Sequence, residues 1–142
     1  MNYHFKIHRE DNGFWAECME LRGCVTQGDT LEELKANMAE ALNLYLDEAM
    51  DSSIIHPLPD PKIRETKSVM PVPLEPEIAF SVLVGFYRKT ENHSQNDLAR
   101  LLGVKSIFST QRVEKRINTG ASTIARIKKV FPDFPVNRIF SD

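Results

Sequence analysis

The hydrophobic period of this 142-residue chain changes once, close to residue 77, and that limits it to folds built from two unlike parts. Before the change, Tyr3, Phe5 and Ile7 alternate with His4, Lys6 and His8, the period-two pattern of a half-buried strand. After it, Ile78, Val82, Leu83, Phe86 and Tyr87 recur at helical steps. No strand pattern follows, so a mixed module is expected over 1–75 and an all-helical one over 78–142.

The order of elements in the first module follows from its punctuation. "DNG" (Asp11–Gly13) is a hairpin signal, and Phe14–Met19 returns as a second strand. Phe14, Ala16 and Cys18 point one way along it, and Trp15, Glu17 and Met19 the other. Gly23–Thr26 reads as a short third strand. Thr30 and Glu33 then have the spacing of a capping box. The helix they open carries Leu31, Leu34, Met38, Ala41, Leu42 and Tyr45 on one face. The prolines of "IHPLPDP" end it, and Lys67–Leu74 is a last strand that its own prolines confine to an edge. The expected class is α+β, in the order β-β-β-α-β, joined to an all-α domain.

Charge divides at the same place. Residues 1–77 hold 15 Asp/Glu against 7 Lys/Arg, and residues 78–142 hold 5 against 11. Fields of opposite sign suit partners of opposite charge, and the basic half suits a phosphate backbone. The longest apolar run, "IAFSVLVGFY", is too short to cross a bilayer, and the N-terminus lacks the pattern of a signal peptide. A cytoplasmic protein without a membrane partner is expected. Cys18 and Cys24 fit no metal-ligand spacing and read as packed free thiols, and the four histidines suggest no triad or metal pair. No cofactor, metal or catalytic residue is expected.

In the helical part, "SQNDLARLLGV" (Ser94–Val104) has Ser94 as a helix cap, Gln95 at the helix start, Ala99 four residues later and Gly103 four after that. Two helices can cross closely over such an alanine, and glycine relaxes the turn between them. Further helices are expected near Phe108–Ile117 and Ser122–Phe131, the second with Ile124, Ile127 and Val130 inward. The segment resembles the Cro/lambda-repressor-like helix-turn-helix domains, which implies operator DNA as a ligand and a phosphate contact for Gln95. The stretch "GVKSIFSTQRVEKRINTG" is about one helical turn longer than that family's usual spacing, which leaves the register of the base-reading residues open. By position and chemistry, the remaining DNA-binding candidates are Lys105, Ser106, Ser109, Thr110, Gln111, Arg112 and Lys115. Arg and Gln read base edges in pairs of hydrogen bonds, whereas Lys and hydroxyls mostly hold phosphates.

The stretch from Asn12 to Met50, above all "RGCVTQGDTLEEL", resembles the HicB antitoxins, and the likeness extends over about residues 3–75. Arg22 stands where proline is commoner in that family. The resemblance implies a partial ribonuclease-H-like fold without nuclease activity, which binds a HicA-type toxin, a small basic RNA-cleaving protein. It also implies a homo-oligomer, dimer or tetramer, that represses its own operon. Trp15 and Glu17 are the toxin-binding candidates. Trp15 is either an interface anchor or a side chain covered by the helix, depending on which sheet face is inner. Two rival readings remain: a ribonuclease-H-like nuclease, and a ligand-responsive repressor without a toxin.

Overall fold

The computed structural model describes residues 1–47, 54–102 and 121–140. The chain forms two compact units. The first comprises Met1–Asp47 and Pro57–Glu75; the second takes in the chain from Pro76 on, together with residues 54–56.

The first unit contains strands β1 (Asn2–Glu10), β2 (Gly13–Cys18), β3 (Val25–Gly28) and β4 (Val69–Pro73), with helix α1 (Leu31–Leu46) between β3 and β4. The strands form one antiparallel sheet in the order β3-β2-β1-β4. β4 is an edge strand, where the missing N–H groups of Pro71 and Pro73 cost the ladder nothing. β3 begins two residues later than the composition of Gly23–Thr26 suggests. Its register explains the shift: Glu17 pairs with Val25 and Phe14 with Gly28, so pairing with β2 runs up to the glycine.

Helix α1 starts as its sequence dictates. Thr30 Oγ1 accepts the Glu33 N–H at 3.1 Å, and the Glu33 carboxylate accepts the Asp29 N–H, one residue before the cap, also at 3.1 Å. The buried stripe is Leu34, Met38, Leu42 and Leu46, spaced four apart. Leu31 lies outside it and is exposed, while Ala41 and Tyr45 sit at its margin. The stripe meets a core that includes Tyr3, Phe5, Ala16, Cys18 and Val72. Gly28 is what permits the approach. A Cβ there would lie 2.6 Å from the backbone nitrogen of Leu34, so only glycine lets β3 run this close to the first turn of α1.

The second unit has α2 (Pro76–Thr90), α3 (Gln95–Leu102), α4 (Ala121–Val130) and α5 (Val136–Phe140). α2 buries Ile78, Ala79, Phe80, Leu83, Val84 and Arg88, an arc displaced from the expected one: Val82, Phe86 and Tyr87 are only half-buried. Its end is a Schellman turn. The His93 N–H reaches Arg88 O at 2.9 Å, the Asn92 N–H reaches Lys89 O at 3.1 Å, and Asn92 adopts φ +60°. Leu98 of α3 and Ile127 of α4 are fully buried; Ile124 and Val130 are half-buried. Tyr87 stacks at a tilt on Phe131 and Phe134, with centroids 5.8 and 5.4 Å away. The helix expected near Phe108–Ile117 lies outside the described residues. Among the described residues no helix is long and apolar enough to cross a membrane.

Candidate interaction surfaces

Register settles which residues share each face of the sheet. Directly opposed residues in an antiparallel sheet share a face, so Phe5/Cys18 and Ile7/Ala16 lie with the core side. On the other face, two rows cross the sheet. One runs Val25, Glu17, Lys6, Val69 and the other Gln27, Trp15, His8. Trp15 is therefore on the face that α1 leaves uncovered. It is half-buried because the His8 ring lies flat against it, with centroids 4.0 Å apart and planes 14° from parallel. His8 Nε2 is shut off from solvent without a hydrogen bond, and the Glu17 carboxylate stands 3.5 Å from it. Glu17 itself is 44% exposed. The patch thus offers an indole edge, a half-exposed carboxylate and, in the next row position, the exposed Val25. That combination can hold an apolar contact and a cation side by side.

Sequence reasoning missed a deeply enclosed carboxylate in this unit. The Glu20 side chain is 3% exposed. One carboxylate oxygen accepts the His4 N–H at 2.8 Å, and the other accepts His4 Nδ1 at 2.8 Å and the Asp60 N–H at 3.1 Å. Glu20 therefore ties the start of β1 and the segment entering β4 to the turn after β2. Its partners lie 16 and 40 residues away, so no local spacing announces it. Among the described residues, no group of three His, Cys, Asp or Glu is placed to hold a metal ion.

Cys18 and Cys24 are both free and buried. The Cys18 thiol donates to Glu20 Oε1 and the Cys24 thiol to Ala41 O, each at 3.8 Å. The neighbouring Cys24 thiol, followed by burial, pushes the Cys18 thiol well above the ordinary thiol range, and Cys18 in turn draws Cys24 downward. The loop between them is held to α1 by Tyr45, whose hydroxyl donates to Arg22 O at 2.7 Å.

In the second unit, Ser94 and Asp97 cap α3 reciprocally. The Asp97 N–H donates to Ser94 Oγ and the Ser94 N–H to Asp97 Oδ2, each at 3.0 Å. The N–H of Ser94, then its hydroxyl, holds the Asp97 carboxyl below the usual carboxylate range. Gln95 is the first residue of α3. Lys105, Ser106, Ser109, Thr110, Gln111, Arg112 and Lys115 lie outside the described residues. Of the described cations, Arg100 pairs with Asp97 at 2.7 Å, and Lys128 donates to Phe134 O at 2.9 Å.

No family model matches the chain. It is 40% identical over 57 residues to a UPF0150 protein of Synechocystis sp. (strain PCC 6803), a stretch covering 40% of this chain and 78% of that relative. A second UPF0150 protein of the same organism is 45% identical over 47 residues, covering 32% of this chain and 60% of the relative. A UPF0150 protein of Helicobacter pylori (strain J99) is 45% identical over 40 residues, covering 28% of this chain and 56% of the relative. Each likeness takes in less than half of this chain and more than half of the smaller relative, so what is shared is a short module to which this chain adds further sequence. With most of a relative's length aligned at this identity, the chain belongs to the UPF0150 family.

Proposed function

We propose that this chain is an antitoxin of the HicB type. Its first unit binds and silences a small basic RNA-cleaving toxin of the HicA type. Its second part, acting as a dimer or tetramer, binds operator DNA ahead of its own genes. The observation that carries the reading is the sheet face that α1 leaves uncovered, where Trp15 and the half-exposed Glu17 stand side by side on a module rich in acidic residues. A basic partner gains both an aromatic anchor and a carboxylate there. The resemblance of "RGCVTQGDTLEEL" to HicB proteins and the family membership support the same reading. For the DNA half, support comes from the basic balance of residues 78–142 and from α3, which opens on Gln95 behind the Ser94 cap.

Two assays test the two halves separately. A reading frame for a small basic protein should adjoin that of this chain, and co-expression of the two should relieve the growth arrest the small protein causes alone. Glu17→Lys should abolish relief while leaving the circular dichroism spectrum unchanged; relief by the variant equal to wild type refutes the toxin-binding face. Mobility shifts on the upstream region should show binding that weakens with salt, because each phosphate contact releases about one counterion. Absence of binding at low salt refutes the operator role. Magnesium-dependent cleavage of labelled RNA by the purified chain would overturn the antitoxin reading in favour of a nuclease.

A further inference from the structure

Cys18 is the last residue of β2, and Cys24 immediately precedes β3. The antiparallel register pairs Glu17 with Val25, so the next opposed pair is Cys18 with Cys24. The Cys18 N–H donates to Cys24 O at 2.8 Å, one half of a hydrogen-bonded pair, while the Cys24 N–H turns back to Leu21 O at 3.2 Å. Cα atoms so paired stand about 5.5 Å apart, inside the range of disulfide-bonded cysteines, and their Cβ atoms must draw in by about 1 Å on closure. Opposed side chains also share a face, and both point to the core side, where their exposures are 6% and 3%. No other cysteine among the 142 residues competes for either sulfur.

We infer that Cys18 and Cys24 form a cross-strand modification site, closing to an intramolecular disulfide by exchange with a low-molecular-weight disulfide such as oxidised glutathione. The Cys24 thiolate attacks one sulfur of the small disulfide, forming a mixed disulfide and releasing the first small thiolate. Cys18 then gives up its proton and attacks the Cys24 sulfur, expelling the second. Two protein thiols are oxidised, one small disulfide is reduced to two thiols, and the two protons pass to the leaving groups. The influence of each thiol on the other suits this order, since it favours the thiolate at Cys24 and the proton at Cys18. Access is through the loop 19–23, where Met19, Arg22 and Gly23 are exposed and a brief local opening uncovers the pair. Closure withdraws the Cys18 thiol from Glu20 Oε1 and the Cys24 thiol from Ala41 O, each a 3.8 Å contact. The redox state of the pair is thereby linked to the turn that carries Glu20.

The test equilibrates the full chain with reduced and oxidised glutathione at several ratios, both folded and unfolded in concentrated urea. Samples are quenched in acid, alkylated and mapped by mass spectrometry. The expected product is a Cys18–Cys24 linked peptide in a chain that keeps its circular dichroism spectrum. The effective concentration of the pair should be at least about tenfold higher in the folded chain than in the unfolded one, because the fold holds the sulfurs together. An effective concentration equal to or below that of the unfolded chain overturns the inference. So does accumulation of glutathione on either sulfur without ring closure, or loss of folded structure on oxidation. Cys18→Ser should stop the reaction at a glutathione adduct on Cys24. The folded-versus-unfolded comparison on the wild-type chain decides the matter even where that variant fails to fold.

Discussion

Gly28→Ala tests the reasoning about the strand-to-helix joint most directly. Its new Cβ would lie 2.6 Å from Leu34 N, 2.9 Å from Leu34 Cα and 3.1 Å from the Glu33 carbonyl carbon. All three neighbours are backbone atoms, so no side chain can rotate away. Restoring the closest contact from 2.6 Å to 3.4 Å needs a shift of about 0.8 Å in the first turn of α1. That shift pulls Leu34 from its fully buried seat and strains the Thr30 cap. Forcing extra volume into a packed site costs about 1–3 kcal/mol. The alanine also restricts the unfolded chain, which offsets roughly 0.4–1 kcal/mol. The net loss is about 1–2 kcal/mol, and for a unit of this size each kcal/mol lowers Tm by about 4–8 °C. Thermal unfolding followed by circular dichroism should therefore show a fall of about 5–15 °C. Gly23 is the internal control: it adopts φ +84° with nothing within 4 Å of a Cβ. Its alanine variant loses only what backbone handedness costs, and Gly23→Asn should recover most of that loss because Asn tolerates the left-handed region. No substitution should rescue position 28. A Gly28→Ala protein that melts at or above the wild-type temperature refutes the close-approach argument.

Two further outcomes follow from polar groups. Glu20→Gln keeps the shape but leaves one acceptor oxygen where two serve His4 and Asp60, so stability should fall by about 1.5–3 kcal/mol in urea unfolding; an unchanged midpoint would show that the carboxylate ties nothing together. Because the Asp97 carboxyl is held below its ordinary range, its capping contribution is fully present above the unfolded-state pKa and is lost as pH falls through the depressed folded value. Protection factors of the first amides of α3, each rate divided by the intrinsic rate at that pH, should fall across that acidic window in wild type but not in Asp97→Asn, measured by NMR.

Features written in neighbouring residues are legible in the sequence alone. Thr30 and Glu33 sit three apart, and the structure places their capping bonds at the start of α1, though Glu33 reaches Asp29 rather than Thr30. Asp11–Gly13 marks the hairpin between β1 and β2 because its residues tolerate the turn backbone. Composition places β3 two residues too early, since a four-residue strand is too short to display a period and its limits come from pairing with β2. Helical spacing puts Leu31 in the apolar stripe, but spacing alone cannot tell that Leu31 faces solvent while Leu34, in the same turn, is buried.

Period, punctuation and charge along the chain determined that there would be an alternating acidic part followed by a helical basic one. Alternation in β2, however, is symmetric: Phe14, Ala16 and Cys18 or Trp15, Glu17 and Met19 would each make a satisfactory inner face. Only the docking of α1 broke that tie and left Trp15 outside with His8 against it. The Glu20 anchor and the opposition of Cys18 to Cys24 were decided in the same way, because each depends on strands brought together across distances in sequence that local patterns do not encode.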